Sequence, residues 1–386
     1  MAERSGSEHL IFQTAFLGDL LLGIPLFKEL RRLRPNDKLT LICRKGLGDL
    51  VVRLGLVDEA IEVDKTSSAS LKKAKDLVRS RQFEWLICPH QSIRSALFIA
   101  SVKARVKIGY RGGLFSLVFD RRIVRPLELP EALRQLALLI PIEVGWQERL
   151  KEFADRQSLP GGQKQDGSLL EVPSWAEMTV EHLKQVRARR HSRPFGDDGL
   201  AEKSRTIWRE LDLQGRPLVV LAPSSVWKTK MWKAEGFAEV ARSLSRANFR
   251  VVVMGAPEEK DLCQWVATEA PGAVSIAGRC GIFESAEILA HAELLVCNDS
   301  GAMHMAAAAG VPTVSVFGPT VLEFGYRPWQ TAARVVQVSR SQVPCRPCGK
   351  HGAKSCPIQT HECMQKVSAQ DVVLAASSFI GINEKH

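Results

Sequence analysis

The chain has 386 residues, with 53 Lys and Arg against 42 Asp and Glu, a formal charge of +11, 45% hydrophobic and only 6% aromatic residues. These proportions exclude a disordered chain, a collagen-like repeat and a small disulfide scaffold, and the length provides for two domains, each with its own core. The most apolar early stretch, 10–27, is interrupted by Gln13, Gly18, Asp19 and Pro25 and cannot span a bilayer. No secretory leader pattern precedes it, so the expectation is a cytosolic protein.

In chain order, apolar runs predict a strand over 9–14, a helix over 20–33, a strand over 39–43, a helix over 70–80 and a strand over 85–88. From 156 to 198 the pattern fails: Gly161, Gly162, Pro173 and Gly196 with many polar residues read as a linker holding one helix. The alternation then resumes with strands over 218–222, 250–254, 274–277, 294–297 and 313–317. Helices are expected over 234–247, 258–268, 283–291 and 303–309, and a last one over 372–380. This βαβα rhythm is that of parallel sheets covered by helices, hence an α/β protein of two doubly wound halves. The expected boundaries are 1–195, 196–365 and a terminal segment 366–386 that packs back on the first domain.

Charge is uneven. Residues 1–195 hold 33 Lys and Arg against 23 Asp and Glu, whereas 196–386 hold 20 against 19. Clusters such as Arg31, Arg32, Arg34, then Lys72, Lys73, Lys75, then Arg121, Arg122, Arg125 are either solvated helix faces or attractors of phosphate and anionic lipid. Nucleic acid is not expected as a partner, since few aromatic residues interleave with the cations and no reader motif occurs. Of nine cysteines, five are scattered among apolar neighbours. Cys345, Cys348, Cys356 and Cys363 form C-x2-C-x7-C-x6-C, which suits either a structural zinc or a loop of packed, redox-sensitive thiols.

Neither the dinucleotide fingerprint nor the Walker loop is present, so phosphate must be held another way. The strand over 294–297 turns through Asn298, Asp299, Ser300 and Gly301 into an Ala-rich helix carrying His304. Free amides and the dipole at a helix start stabilise an anion, although a well-capped helix would have the same sequence. After the first strand of the second half come Ser224, Ser225, Lys228 and Lys230, two hydroxyls and two ammonium groups; Lys230 can neutralise charge on a leaving diphosphate. Gly255 to Glu259 ends the next strand and offers a carboxylate for a ribose diol or for a helix start. In the first half, Gly18 and Asp19 repeat the geometry, and Asp19 is either a first-turn acid or a general base.

The run Asn298 to His304, continuing through Gly310, Val311, Pro312 and Val316 to Thr320, resembles the signature of the bacterial lipopolysaccharide heptosyltransferases. Ser224 to Trp232, Gly18 with Asp19 and Pro25, His90 to Ser95, and Ile108 to Tyr110 agree in order and spacing, and Cys345 to Met364 is similar to the cysteine tail of heptosyltransferase II relatives. Only the linker lies outside the likeness. The resemblance implies the GT-B architecture, two Rossmann-like domains facing a cleft, and inverting transfer of heptose from ADP-L-glycero-β-D-manno-heptose to the heptosyl-Kdo-lipid A inner core at the cytoplasmic membrane face. It implies Asp19 as general base and Lys230, Ser224 and Ser225 on the diphosphate. Glu259 falls on the ribose, and Asp299, Ser300, Gly301 and His304 form the sugar-diphosphate cradle. Gly18, Gln91, Arg94 and Arg111 fall to the acceptor, where Arg44, Arg53 or Lys107 could equally serve. No cofactor is required on this reading, an anionic membrane surface is an expected partner, and Ser224 stands where the family commonly has glycine.

Overall fold

A computed structural model describes residues 6–156, 177–192, 200–211, 215–330 and 332–381. Most of the linker expected over 156–198 lies outside them. The described residues form two compact units that part between Glu177 and Met178, inside the expected linker and upstream of the 195/196 boundary. The helix Glu181–Ser192 belongs to the second unit: His182 Nε2 bonds Glu287 Oε1 at 2.8 Å, and Arg187 donates to Ala292 O at 2.6 Å.

The first unit is a six-stranded sheet of β1 (Glu8–Gln13), β2 (Lys38–Arg44), β3 (Glu59–Val63), β4 (Phe83–Cys88), β5 (Ala104–Tyr110) and β6 (Arg121–Ile123), in the order β3-β2-β1-β4-β5-β6. Every pairing is parallel. A parallel sheet is covered on both faces, which is why β1, β2 and β4 read as nearly continuous apolar runs. The helix expected over 20–33 is two helices, Leu17–Leu21 and Ile24–Leu33, with Gly23 as the second N-cap and Pro25 in its first turn. Proline suits a first turn, where its missing N–H has no helical partner to lose.

The second unit repeats the plan with β7 (Leu218–Ala222), β8 (Arg250–Val253), β9 (Val274–Ser275), β10 (Leu294–Asn298), β11 (Thr313–Val316) and β12 (Ala333–Val336), in the order β12-β11-β10-β7-β8-β9 and again wholly parallel. β7, β10 and β11 are buried at every position. The terminal helix Ala369–Ile380 sets Val372, Val373 and Ala376 into this unit's core beside Trp232, Phe237 and Val240.

In each sheet the strand order reverses direction once, between β1 and β4 in the first and between β7 and β10 in the second. At such a switch point the two connecting loops diverge to opposite faces, leaving a crevice at the carboxyl ends of the strands. The loops that follow these four strands carry most of the residues singled out from the sequence.

Candidate active site

In the first unit, β1 leads into Thr14 and then the short helix bearing Gly18 and Asp19, while β4 leads into His90, Gln91 and the helix Ile93–Ala100 with Arg94. The two loops are tied together: the Thr14 N–H donates to His90 Nε2 at 2.8 Å. A backbone amide can only donate, so Nε2 carries the lone pair and the imidazole is neutral. Burial, reinforced by Lys65 and Arg125, pushes His90 down to about 3. The Asp19 carbonyl accepts from Gln135 Nε2 at 3.3 Å and Gln13 Nε2 at 3.5 Å, fixing the backbone of the short helix.

Burial raises the Asp19 carboxyl above its ordinary range, against the opposing pull of the Phe16 amide and of Lys65 and Arg125. Such a carboxylate is a stronger base than a solvated one. Cations surround it. Burial, Arg44 and Arg94 depress the Lys65 ammonium, which Asp19 in turn supports. Arg94 donates to the Lys65 carbonyl at 2.8 Å. Gln91 Nε2 donates to the Arg111 carbonyl at 3.3 Å, and its Oε1 accepts from Arg125 at 3.5 Å. Gly18, Asp19, Gln91, Arg94 and Arg111 thus follow three neighbouring strands, β1, β4 and β5. Lys65 and His90 join them, and the sequence reading gave neither a role.

In the second unit, β10 ends at Asn298, which is fully buried. Its Nδ2 donates to Pro223 O at 2.8 Å and its Oδ1 accepts the Trp232 N–H at 2.9 Å, so one amide pins both ends of the loop after β7. That loop delivers Lys230, whose Nζ lies 2.6 Å from Asp299 Oδ2 with both side chains nearly buried. The same carboxylate oxygen accepts from Thr320 Oγ1 at 2.7 Å. Behind Thr320, Arg346 donates to the Thr320 carbonyl at 2.9 Å and to Gln337 Oε1 at 2.8 Å. Asp299 therefore does not meet an incoming anion as a bare charge, and the repulsion that a lone carboxylate would exert is offset by its ammonium partner.

Ser300 is the N-cap of the helix Gly301–Ala309, but its side chain makes no cap bond. Its hydroxyl leaves the first-turn amides uncapped, unlike the capped-helix alternative read from sequence. His304, one turn on, is buried with Nδ1 unpartnered. Burial and Lys230 push it down to about 4, against Asp299, so it is neutral. Ser224 is buried, and Ser225 Oγ accepts the Trp227 N–H at 3.4 Å. Glu259 follows β8, the strand beside β7, but Oε2 is engaged by the Ala256 N–H at 2.7 Å. That is the turn-stabilising role that was the alternative to ribose binding.

The cysteine segment folds over the loop after β7. Thr229 Oγ1 donates to Ala353 O at 2.6 Å, His361 Nε2 lies 2.7 Å from Thr229 O, and Cys348 N donates to Pro319 O at 2.8 Å. His351 stacks on Trp227 with centroids 6.1 Å apart. Burial and the neighbouring thiols raise Cys348. Burial above all pushes Cys363 up to about 11. Cys356 is held below its ordinary value, because amides of His361, Ile358, Thr360 and Gln359 outweigh its burial. Among the described residues no three His, Cys, Asp or Glu side chains are grouped to hold a metal ion, so zinc at the four cysteines takes no support from the geometry.

An open depression of about 460 Å³ in the first unit, lined by Arg34, Asp37, Glu84 and Arg105, lies at the amino ends of the strands and holds none of these residues. No described helix is long and apolar enough to cross a membrane.

The family model of glycosyltransferase family 9 (heptosyltransferase) matches residues 71–355, well over half of the chain and all of the second sheet. The chain belongs to glycosyltransferase family 9. Among this member's relatives, lipooligosaccharide heptosyltransferase 2 of Campylobacter jejuni is 28% identical over 172 residues, 43% of this chain and 52% of the relative. The chain thus spans about half the length of that relative. Lipopolysaccharide heptosyltransferase 2 of Escherichia coli K12 is 22% identical over 342 residues, 85% of this chain and 87% of the other. The solved structure of E. coli ADP-heptose lps heptosyltransferase II superposes with a TM-score of 0.68 at 19% identity, covering 97% of this chain and 98% of that one. That likeness shows the fold, the GT-B arrangement of two Rossmann-like sheets, as the family 9 resemblance implied.

Proposed function

We propose that this family 9 member transfers heptose from ADP-heptose to the heptosyl-Kdo-lipid A inner core of lipopolysaccharide, with inversion at the anomeric carbon. The observation that carries this reading is the Lys230–Asp299–Thr320 chain at the switch point of the second sheet, beside a helix start whose N-cap side chain makes no cap bond. An ammonium and first-turn amides together suit a diphosphate. Ser224 and Ser225 border the same crevice, and His304, neutral and with Nδ1 buried and unpartnered, lies one turn into the helix.

In the reaction, the acceptor hydroxyl forms a bond to C1 of the heptose while the bond from C1 to the diphosphate oxygen breaks, its electron pair leaving with ADP. Asp19 takes the hydroxyl proton, and its raised carboxyl suits that task. Lys230 meets the charge that grows on the diphosphate. Asp299 holds Lys230 in place and Thr320 holds Asp299, so neither charge must be reoriented as the bond breaks. No enzyme nucleophile and no metal takes part, and turnover should persist in chelator. Lys65, Arg94, Arg111 and Gln91 fit a phosphorylated acceptor, and the basic first half fits an acceptor carried on an anionic membrane at the cytoplasmic face.

The test is product mass spectrometry with a panel of nucleotide sugars and heptosylated Kdo-lipid A. ADP-heptose should be the preferred donor; preferential transfer of another sugar would reject the substrate assignment.

A further inference from the structure

Six large apolar side chains of the first unit stand in the open close together in the chain. Ile93 (70% exposed) and Leu97 (69%) lie on the helix Ile93–Ala100, Leu114 (85%) and Leu117 (64%) on the 3-10 turn Leu114–Val118, and Val124 and Leu127 follow β6. Spacing explains their direction. Residues four apart in an α-helix share a face, so Ile93 and Leu97 point one way while Ala96, Phe98 and Ile99 pack inward. Residues three apart in a 3-10 turn eclipse, which aligns Leu114 with Leu117. The helix and the turn pack on each other, joined through Phe98, Val118 and Phe119 of the same core.

Isolated exposed leucines need no explanation, but two aligned pairs on adjoining elements do. The polar residues around them are mostly cationic. Arg94 is exposed on the helix, Arg111 in the loop before the 3-10 turn, and Arg121 and Arg122 on β6. Of the acids, Asp120 is engaged by the Lys107 N–H at 2.7 Å, and Glu128 adjoins Leu127. Apolar side chains ringed by arginine match the boundary between acyl chains and anionic headgroups, where weak apolar insertion and charge attraction each need the other.

We infer that Ile93, Leu97, Leu114 and Leu117 form a membrane-docking face that inserts into the headgroup boundary of an anionic bilayer. The inference rests on the proposed acceptor being lipid-borne, and it places the docking face on the helix that carries Arg94 and on the turn that follows Arg111, with Gln91 just ahead of the helix. Docking there would bring a membrane-held acceptor to the carboxyl ends of β4 and β5 without extracting its acyl chains.

The test is co-sedimentation of the full chain with vesicles of phosphatidylglycerol and phosphatidylethanolamine in equal parts, with phosphatidylcholine vesicles as control. The wild-type chain should bind the anionic vesicles and lose binding in high salt. Combined Ile93→Ser, Leu97→Ser, Leu114→Ser and Leu117→Ser should weaken binding about tenfold or more, with an unchanged melting temperature, unchanged ADP affinity and unchanged turnover on a deacylated, water-soluble acceptor. Vesicle binding by the folded quadruple variant equal to wild type would overturn the assignment, as would a wild-type chain that ignores anionic vesicles. A chain that docks through these four residues yet transfers no heptose would uphold the docking face and refute the substrate reading.

Discussion

Lys230 Nζ and Asp299 Oδ2 stand 2.6 Å apart on loops that follow two adjacent strands, β7 and β10, although the two residues are 69 positions apart in sequence. Because the pair is nearly buried, neither partner can be lost alone without leaving an uncompensated charge, at a cost of about 3–5 kcal/mol. Lys230→Met and Asp299→Asn should each destabilise the chain and weaken ADP binding at least tenfold. The double variant should recover much of the stability but not the ADP affinity. Urea denaturation and calorimetric ADP titration of the three variants check this, and additive stability losses would dissolve the coupling.

Replacing Asp19 by Asn removes the proposed base while preserving size and much of the hydrogen bonding. Turnover should fall by roughly a hundredfold or more, and ADP affinity should stay within about twofold, because ADP is assigned to residues of the other unit. Undiminished turnover would end the assignment.

The same carboxyl must be ionised to accept a proton. Since burial raises it, kcat/KM should fall on the acid side through a midpoint above that of a free aspartate. Rate profiles of the wild-type chain across the acid range test the direction, and a midpoint at or below the free value would contradict it.

His90 and His304 are neutral when folded, pushed down to about 3 and about 4 mainly by burial, against an ordinary 6.5. Below 6.5 the unfolded chain takes up protons that the folded chain refuses. Their contribution to stability is therefore complete above 6.5 and is lost as pH falls toward the folded values, at up to about 1.4 kcal/mol per pH unit for each histidine. Denaturation midpoints measured from neutral to mildly acid pH should decline, and His304→Gln should flatten the decline.

The hydrogen bond from the Thr14 N–H to His90 Nε2 ties down the loop that leads to Asp19. His90→Phe leaves the Thr14 N–H without its acceptor, at a cost of about 1–3 kcal/mol, and frees the loop that leads to Asp19. Turnover should drop severalfold with ADP affinity intact, and His90→Gln, which offers an acceptor oxygen, should restore part of it. A loss of stability without a loss of turnover would limit His90 to a structural role.

Much of this was legible in the residues. The apolar runs at 218–222 and 294–298 mark buried parallel strands because a strand covered on both faces has no polar side to show. The polar, glycine-bearing breaks after them mark loops, and loops at the carboxyl ends of parallel strands are where an α/β sheet binds ligands. The loops that bear Asp19, Lys230 and Asp299 are therefore legible as candidate ligand loops, while the roles of these residues follow only from the family resemblance. The break at Gly23 was missed because Leu20 to Leu33 keeps a helical apolar pattern across it. The allegiance of Glu181–Ser192 was missed because His182 and Arg187 take partners about a hundred residues away.

Pairing was what the linear chain left open. The sequence by itself determined the strands β1, β2, β4 and β7 to β11 and which loops hold acids and bases, since burial period and turn chemistry are local. Only the tertiary structure decided that Asp299 neutralises Lys230, that Thr320 and Arg346 stand behind it, that Asn298 pins the loop after β7 and that Thr14 leans on a neutral His90. Each of those contacts joins residues distant in sequence through the order of strands in a sheet, and that order is set by packing of the whole unit.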